Sequence, residues 1–316
     1  MVAIGITPPN SRFRELVVSD TEDSKREARR GLTVFVLTLF ASTLAAYFLD
    51  LYRPRVYWHW WPFTRWVVLS SVPGIAAILT RTILREGFRD LSFRLRGEWV
   101  GKAMVVGWLA PLASGLVTYG LVWASGAARF RQGWHWGPER LVGISIATMV
   151  PLRGFLVRMA VCLLYSWFLC LQSAGQEIGW RGYMLTRLYD AKVSVPIFWN
   201  GLFAALWWLP FMLHDRRTPE PEPFAVSFFF FVAGTIASSY LIGYLRLRSG
   251  SIWPAVICSA SVNSVLGVGF ASFLDANEFV RGEVYLLNFA VWVLALLFVK
   301  RPWPLRYFPE SDARHI

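Results

Sequence analysis

Three polar side chains of different chemistry lie close together at the end of an apolar run: Gln176, Glu177 and Arg181. A carboxylate can take a proton from water and can pair with a guanidinium, whereas an amide only forms hydrogen bonds. If a helix continues through this stretch, Glu177 and Arg181 share one face and can form an ion pair. Gln176 is turned roughly 100° from Glu177 and faces a different neighbourhood. Taken alone, the pair is explained as well by an anchor for the helix end as by chemistry.

Two later segments also carry polar residues in apolar surroundings. Residues 200–210 read NGLFAALWWLP and contain two adjacent tryptophans, which packing alone can explain. Residues 250–263 read GSIWPAVICSASVN, in which Ser259 and Asn263 are four residues apart and share a helical face. Polar residues at this spacing commonly hydrogen-bond to neighbouring helices in a membrane.

The composition predicts that membrane helices position these residues. The chain has 316 residues, of which 55% are hydrophobic and 16% are charged, whereas soluble domains carry about 25% charged residues. A membrane helix needs about 20 mostly apolar residues. We therefore expect an all-α, polytopic membrane bundle of about eight transmembrane helices, within a range of seven to nine. The predicted spans are residues 31–49, 58–80, 103–128, 159–176, 193–213, 224–245, 249–274 and 284–299.

The sequence predicts one membrane bundle flanked by an N-terminal arm and a C-terminal tail. Residues 1–30 form a charged arm, either helical or solvated, and residues 301–316 form a tail. The bundle between them, residues 31–300, contains no separate soluble domain. Residues 81–97 mix apolar and basic residues and predict an amphipathic surface helix. Residues 141–152 are apolar but too short to span, which favours a re-entrant or interfacial helix.

The positive charge is interpreted as a membrane property. The net charge is +12, but the basic residues flank predicted spans, where anionic lipid headgroups attract them, and no nucleic-acid-binding motif accompanies them. With the N-terminus inside, most Lys and Arg fall on the inner side. This distribution predicts a multi-pass protein of the cell membrane with both termini in the cytoplasm. We expect membrane lipid as a partner, no nucleic acid, no metal and no cofactor, and Cys162, Cys170 and Cys258 as packing residues.

The three polar segments together resemble the CPBP (Abi/CAAX prenyl protease-like) family of intramembrane proteases. That family's first motif usually reads EEIGWRG, and residues 176–182 read QEIGWRG. Its second motif is Phe-x-x-x-His, often with Trp before the His and Leu-Pro after it, and residues 206–210 read LWWLP. Its third is often GSIWPAIxxHAxxN, which residues 250–263 follow closely. The resemblance covers residues 159–270 and implies a CAAX-protease-like core.

The resemblance implies roles for particular positions. In the family, the first Glu and the motif-two His activate water, while the motif-three His and Asn stabilise the oxyanion. These roles fall on Gln176 for the Glu, Trp208 for the motif-two His and Ser259 for the motif-three His. The retained motif residues are Glu177, Arg181 and Asn263.

The substitutions remove the expected acid–base pair. Gln lacks a titratable carboxylate and an indole offers only an N–H donor. An alternative register that aligns Phe203 with the motif-two Phe places Trp207 at the His position, which is no base either. The other histidines, His59, His135, His214 and His315, lie in predicted loops, in the tail or on the outer side.

These losses favour one function among three. The first is a proteolytically degenerate member that serves as a binding or regulatory module for a membrane-embedded peptide, a prenylated tail or a partner's transmembrane helix. The alternative is an active endopeptidase that uses Glu177 in a rearranged site. A small transporter or a structural membrane subunit ranks lowest, because the spans contain almost no charged residues near the membrane centre.

Overall fold

A computed structural model of the protein describes residues 11–51, 61–88, 90–131, 138–214 and 223–298. Within these residues eight helices are long and apolar enough to cross a membrane. The predicted all-α polytopic fold and the number of spans are therefore confirmed. The predicted tail at residues 301–316 lies outside the described residues, as do His59, His135 and His315.

Among the described residues ten α-helices form the bundle, and three of the eight spans are built from more than one helical piece. The helices are α1 (Ser11–Leu51), α2 (Trp61–Leu84), α3 (Glu98–Ala124), α4 (Pro151–Gly179), α5 (Leu185–Asp190), α6 (Pro196–Trp207), α7 (Leu209–His214), α8 (Phe224–Ser249), α9 (Trp253–Ser261) and α10 (Glu278–Phe298). A π-helical turn, Trp180–Met184, joins α4 to α5. A second π-helical segment, Val262–Gly269, extends α9 and leads into the 3-10 turn Phe270–Phe273.

The two largest of five apolar clusters among the described residues join most of the helices. The first joins α1, α2, the π-helical turn, α6 and α7 around Phe35, Trp180 and Trp207. The second joins α3, α4, the end of the α9 span and α10 around Tyr119 and Phe270. Because α4 and the α9 span each take part in several packing contacts, they lie near the centre of the bundle. A two-residue ladder of β1 (Arg129–Phe130) with β2 (Leu274–Asp275) connects the loops after α3 and after the α9 span.

The predicted amphipathic helix over residues 81–97 was wrong. Helix α2 ends at Leu84, Arg85 has a left-handed backbone with φ of 55°, and the described residues up to Gly97 are not helical. The backbone of this segment bonds to other elements instead, as when the Ile252 N–H donates to the Ser92 carbonyl at 2.9 Å. Tertiary hydrogen bonds thus replace the bonds that a helix would have supplied.

The predicted re-entrant or interfacial helix over residues 141–152 was also wrong. A short 3-10 helix, Pro138–Val142, ends inside this run, and α4 begins at Pro151. Proline suits the first turn of a helix, where its missing N–H has no partner to lose. The 3-10 helix is fixed by a buried ion pair, since Arg158 Nη2 lies 2.5 Å from Glu139 Oε1.

The predicted arm, residues 1–30, is described from Ser11 onward, and this part is continuous with the first span. Helix α1 begins at Ser11 and continues through the membrane-compatible stretch Glu22–Phe48 without a break. The side chains Glu22, Asp23 and Ser24 are exposed. Residues 1–10 lie outside the described residues.

Candidate active-site cavity

Close packing of α2 and α4 positions the first motif. A Cβ atom added to Gly175 would lie 2.6 Å from the Ser71 Cα, and one added to Gly179 would lie 2.5 Å from the Pro73 carbonyl carbon. Real Cβ atoms do not approach backbone this closely, so both positions require glycine. Small residues four apart let membrane helices approach each other in this way. The approach brings α2 within hydrogen-bonding distance of the motif.

The helix widens directly after Gly179. In the π-helical turn Trp180–Met184 the N–H of Leu185 reaches the Trp180 carbonyl. The buried side chain of Asn200, on α6, donates to the same carbonyl at 2.7 Å. Such π-helical turns occur frequently at functional sites. Here the turn ties the first motif to the helix that carries the second.

Gln176 is tied to α2 by its amide. The Gln176 Nε2 donates to the Ser70 hydroxyl at 3.1 Å, and Gln172 donates to the same hydroxyl at 3.2 Å. The Gln176 side chain is half-buried and also lines the cavity described below. Gln176 and Glu177 therefore border one space, although their hydrogen bonds point in different directions.

Glu177 and Arg181 form the ion pair that their spacing predicts. The Arg181 Nη1 donates to Glu177 Oε1 at 3.1 Å, and Arg181 Nη2 donates to the Ser239 hydroxyl of α8 at 2.9 Å. The Glu177 side chain is 1% exposed and that of Arg181 is 5% exposed. Within the described part of the chain, Glu177 Oε2 and Arg181 Nε are buried without a hydrogen-bond partner. A buried polar atom in this state is costly unless a ligand or water satisfies it.

The second motif lies at a break between two helices. Trp208 separates α6 from α7, and the Pro210 that follows has no N–H with which to continue the ladder. The Trp207 indole points to α1 and donates to the Thr43 hydroxyl at 2.8 Å. Trp208 packs edge-on against Trp207, with 4.8 Å between ring centroids, and lines the cavity. This placement favours the alignment with Trp208, rather than Trp207, at the family's His position.

The third motif spans the junction of α9 with its π-helical extension. Ser259 is buried at the end of α9, and its hydroxyl lies beside the Glu177 carboxylate. Asn263 lies in the π-helical segment and is exposed, and its side chain has no hydrogen bond to the described residues. Both side chains line the cavity although the helix widens between them.

All six residues singled out from the sequence border one cavity of about 660 Å³. The predicted residues are Gln176, Glu177, Arg181, Trp208, Ser259 and Asn263. The cavity is lined mainly by apolar groups, and among its described lining residues Glu177 is the one carboxylate. Since Asn263 is exposed, the cavity is open to the outside beside it.

Sequence reasoning missed the walls that α8 and α10 supply. Phe230 and Phe231 of α8 and Arg281 and Tyr285 of α10 line the cavity. The phenylalanine run was interpreted only as part of a span. Arg281 was placed before the last span, predicted to begin at residue 284, whereas α10 begins at Glu278. The position of Arg281 just before the apolar run 284–299 was the one feature of the sequence that could have indicated this wall.

The arrangement supplies hydrogen-bond donors but no base at the family's water-activating positions. Amide, indole and hydroxyl groups stand where the resemblance places Glu, His and His. The residues Ser259 and Asn263 can donate to a carbonyl oxygen, and Glu177 retains one carboxylate oxygen for a donor. No group of three His, Cys, Asp or Glu side chains close enough to hold a metal ion occurs among the described residues.

Comparison with known families supports the resemblance. Residues 157–265 match the family model described as type II CAAX prenyl endopeptidase Rce1-like. The match covers about a third of the chain, begins in α4 and ends in the π-helical segment after α9. It includes all three motifs. No curated protein matches the chain in sequence.

Proposed function

The chain carries an Rce1-like domain of the CAAX prenyl endopeptidase type in residues 157–265, and from this premise we propose that it is a proteolytically degenerate member. Its cavity binds a membrane-embedded peptide, a prenylated tail or a partner's transmembrane helix. The protein then acts as a binding or regulatory module within the membrane.

One observation carries this proposal: the two positions that should hold the acid–base pair hold side chains that cannot act as bases. The Gln176 amide donates to the Ser70 hydroxyl, and Trp208 lines the cavity with an indole ring. General acid–base assistance typically contributes 10²–10⁴-fold to a rate. Loss of both members leaves a shaped cavity without a group at these positions to deliver the nucleophile.

The cavity suits a mainly apolar ligand that carries a hydrogen-bond donor. Aromatic side chains line it along α8 and α10, including Phe230, Phe231 and Phe289. At the motif end, Glu177 Oε2 is buried and without a partner in the described residues. An amide N–H or a hydroxyl would satisfy this oxygen, and an apolar chain would occupy the aromatic part. A peptide and a lipidated peptide both combine these features.

A second candidate is hydrolysis with Glu177 as the base. The observation in its favour is that the Glu177 carboxylate borders the cavity beside Ser259, with Oε2 unpaired in the described residues. This hypothesis requires a water at Oε2 that can attack a substrate carbonyl bound at Ser259. Against it stands the engagement of Oε1 with Arg181.

Binding is tested by filling the cavity. The full-length protein, purified in detergent, is titrated with a fluorescent prenylated peptide. A Cβ added to Gly234, which lines the cavity, would meet no atom closer than 3.8 Å, in the Phe289 ring, so Gly234→Leu is chosen to take up cavity volume beside that ring. We expect the affinity to fall about tenfold, as occupation of an apolar side chain's volume implies. Gly120→Leu, on α3 with open space around it, is the matched control and should bind like wild type.

Cleavage of the same peptide distinguishes the two candidates. The degenerate-protease proposal expects no product from the wild-type protein above a no-protein blank. Product that disappears in Glu177→Gln would overturn the proposal and establish the second candidate. Absence of both binding and cleavage, in protein whose monodispersity and unfolding temperature are normal, would reject prenylated peptides as ligands.

A further inference from the structure

Two cations face one indole ring where α3 begins and α8 ends. Arg248 Cζ lies 4.3 Å from the Trp99 ring centroid, and Lys102 Nζ lies 5.1 Å from it. Among the side chains that the structure describes, which do not include that of Glu98, neither cation has a carboxylate within ion-pair distance. Each gains from the ring face, but two like charges beside one ring also repel each other. An anion between them would convert this repulsion into attraction.

The chain leading into α3 adds positive charge and apolar side chains to the same place. Arg94 and Arg96 are exposed, and Glu98 is the one acidic residue in the sequence from Arg94 to Lys102. Phe93 precedes the two arginines and Leu95 lies between them, and their side chains are 49% and 63% exposed. Neighbouring basic and apolar side chains of this kind suit the boundary between lipid headgroups and acyl chains.

The backbone of this chain segment is fixed against the connection between α8 and α9. The Trp253 indole donates to the Phe93 carbonyl at 3.0 Å, and the Ser251 hydroxyl donates to the Arg94 carbonyl at 2.7 Å. These bonds place the Arg94 backbone close to the end of α8 that carries Arg248. The basic residues of the two chain segments are therefore held together before any ligand arrives, which lowers the entropy cost of binding.

We propose that Trp99, Lys102 and Arg248, with Arg94 and Arg96 beside them, bind the phosphate of an anionic phospholipid. Helices α3 and α8 both cross the membrane by length and composition, so their ends lie at headgroup depth, where tryptophan is enriched. The exposed side chains of the preceding segment contact the upper acyl chains. The site lies at a membrane surface, separate from the cavity, and does not depend on the proposed function.

The test compares lipids on the full-length protein in detergent, with native mass spectrometry to count bound lipid and thermal unfolding to follow stabilisation. We expect phosphatidylglycerol to bind more tightly than phosphatidylcholine. Each positive charge near an anionic surface corresponds to about a fivefold change in affinity, so Lys102→Gln/Arg248→Gln should weaken phosphatidylglycerol binding by about 25-fold. Arg129→Gln/Arg153→Gln removes two exposed charges elsewhere and should leave it unchanged. The variant Lys102→Gln alone, at an exposed side chain, should show about a fivefold loss if the double variant does not fold.

Three results would overturn the site. Equal retention of phosphatidylcholine and phosphatidylglycerol would show that charge plays no part. An equal loss of phosphatidylglycerol binding in Arg129→Gln/Arg153→Gln would show that overall positive charge, and not this site, attracts the lipid. Stabilisation by inorganic phosphate at the same concentration would indicate a free anion rather than a lipid headgroup as the ligand.

Discussion

Arg181 holds Glu177 across one helical turn while it also reaches α8. Its two terminal nitrogens are divided between Glu177 Oε1, at 3.1 Å, and the Ser239 hydroxyl, at 2.9 Å. The arginine thus connects the first motif to a helix that carries none of the three motifs. The second carboxylate oxygen, Glu177 Oε2, has no hydrogen-bond partner among the described residues, so in our proposal the pair both packs the bundle and offers a ligand an acceptor.

The first prediction concerns this pair. Arg181→Met leaves a buried carboxylate without its partner, and the free energy of unfolding should fall by about 3–5 kcal/mol. Glu177→Gln/Arg181→Met removes both charges and should recover much of this loss. Unfolding in mixed detergent micelles, followed by circular dichroism, measures both variants. A loss below about 1 kcal/mol in the single variant would mean that water or another group solvates the carboxylate.

The second prediction assigns Gln176 a structural bond. A double-mutant cycle of Gln176→Leu with Ser70→Ala should give a coupling free energy of about 0.5–1.5 kcal/mol, the usual net value of a hydrogen bond. Gln172→Leu with Ser70→Ala provides the comparison, since Gln172 donates to the same hydroxyl at 3.2 Å. A coupling near zero for Gln176 would indicate that its amide is available to a ligand in the cavity.

The sequence indicated which motif residues lie together, but not the helix geometry around them or the other walls of the cavity. If each motif lies on a regular helix, the i to i+4 spacing of Glu177 with Arg181 and of Ser259 with Asn263 predicts a shared face. The structure brings the members of each pair to one cavity, although both pairs extend from an α-helix into a π-helical segment. The π-helical turns that follow Gly179 and Ser261 were not predicted. An extra residue shifts the apolar face by about 100°, but spans that are apolar nearly all round have no distinct face in which this shift could be seen.

The failure at residues 81–97 has a different physical cause. Their apolar and basic pattern suits a surface helix, but the pattern says nothing about long-range partners. The backbone is bonded to residues far along the chain, including Ser251 and Ile252. Arg81, whose guanidinium forms a two-pronged bond with Asp90 at 2.7 and 2.8 Å, fixes the turn further. Local propensity is a weak prior where such contacts are available.

The third prediction tests the close approach of α2 and α4. Gly179→Ala forces a Cβ to within 2.5 Å of the Pro73 backbone, and overpacking of this kind costs about 1–3 kcal/mol. Gly120→Ala, in open space on α3, should instead stabilise the protein by up to about 1 kcal/mol, since alanine is the better helix former. The unfolding temperatures of the two variants should therefore move in opposite directions. A neutral Gly179→Ala would show that α2 can shift away.

The last prediction concerns recovery of hydrolysis. Under the degenerate-protease proposal, reversing the three substitutions on the intact scaffold should give hydrolysis. We expect Gln176→Glu/Trp208→His/Ser259→His to cleave a prenylated peptide at a rate at least about 10²-fold above the no-protein blank, the lower range of general acid–base assistance. The matched control replaces Trp207 in place of Trp208. Because Trp207 points to Thr43 and not into the cavity, Gln176→Glu/Trp207→His/Ser259→His should remain inactive. Equal activity in the two variants would contradict the placement of Trp208. The triple variant with Trp208→His could also fold, bind the peptide and remain inactive. That result would mean that the rest of the scaffold no longer positions a water to attack the peptide carbonyl.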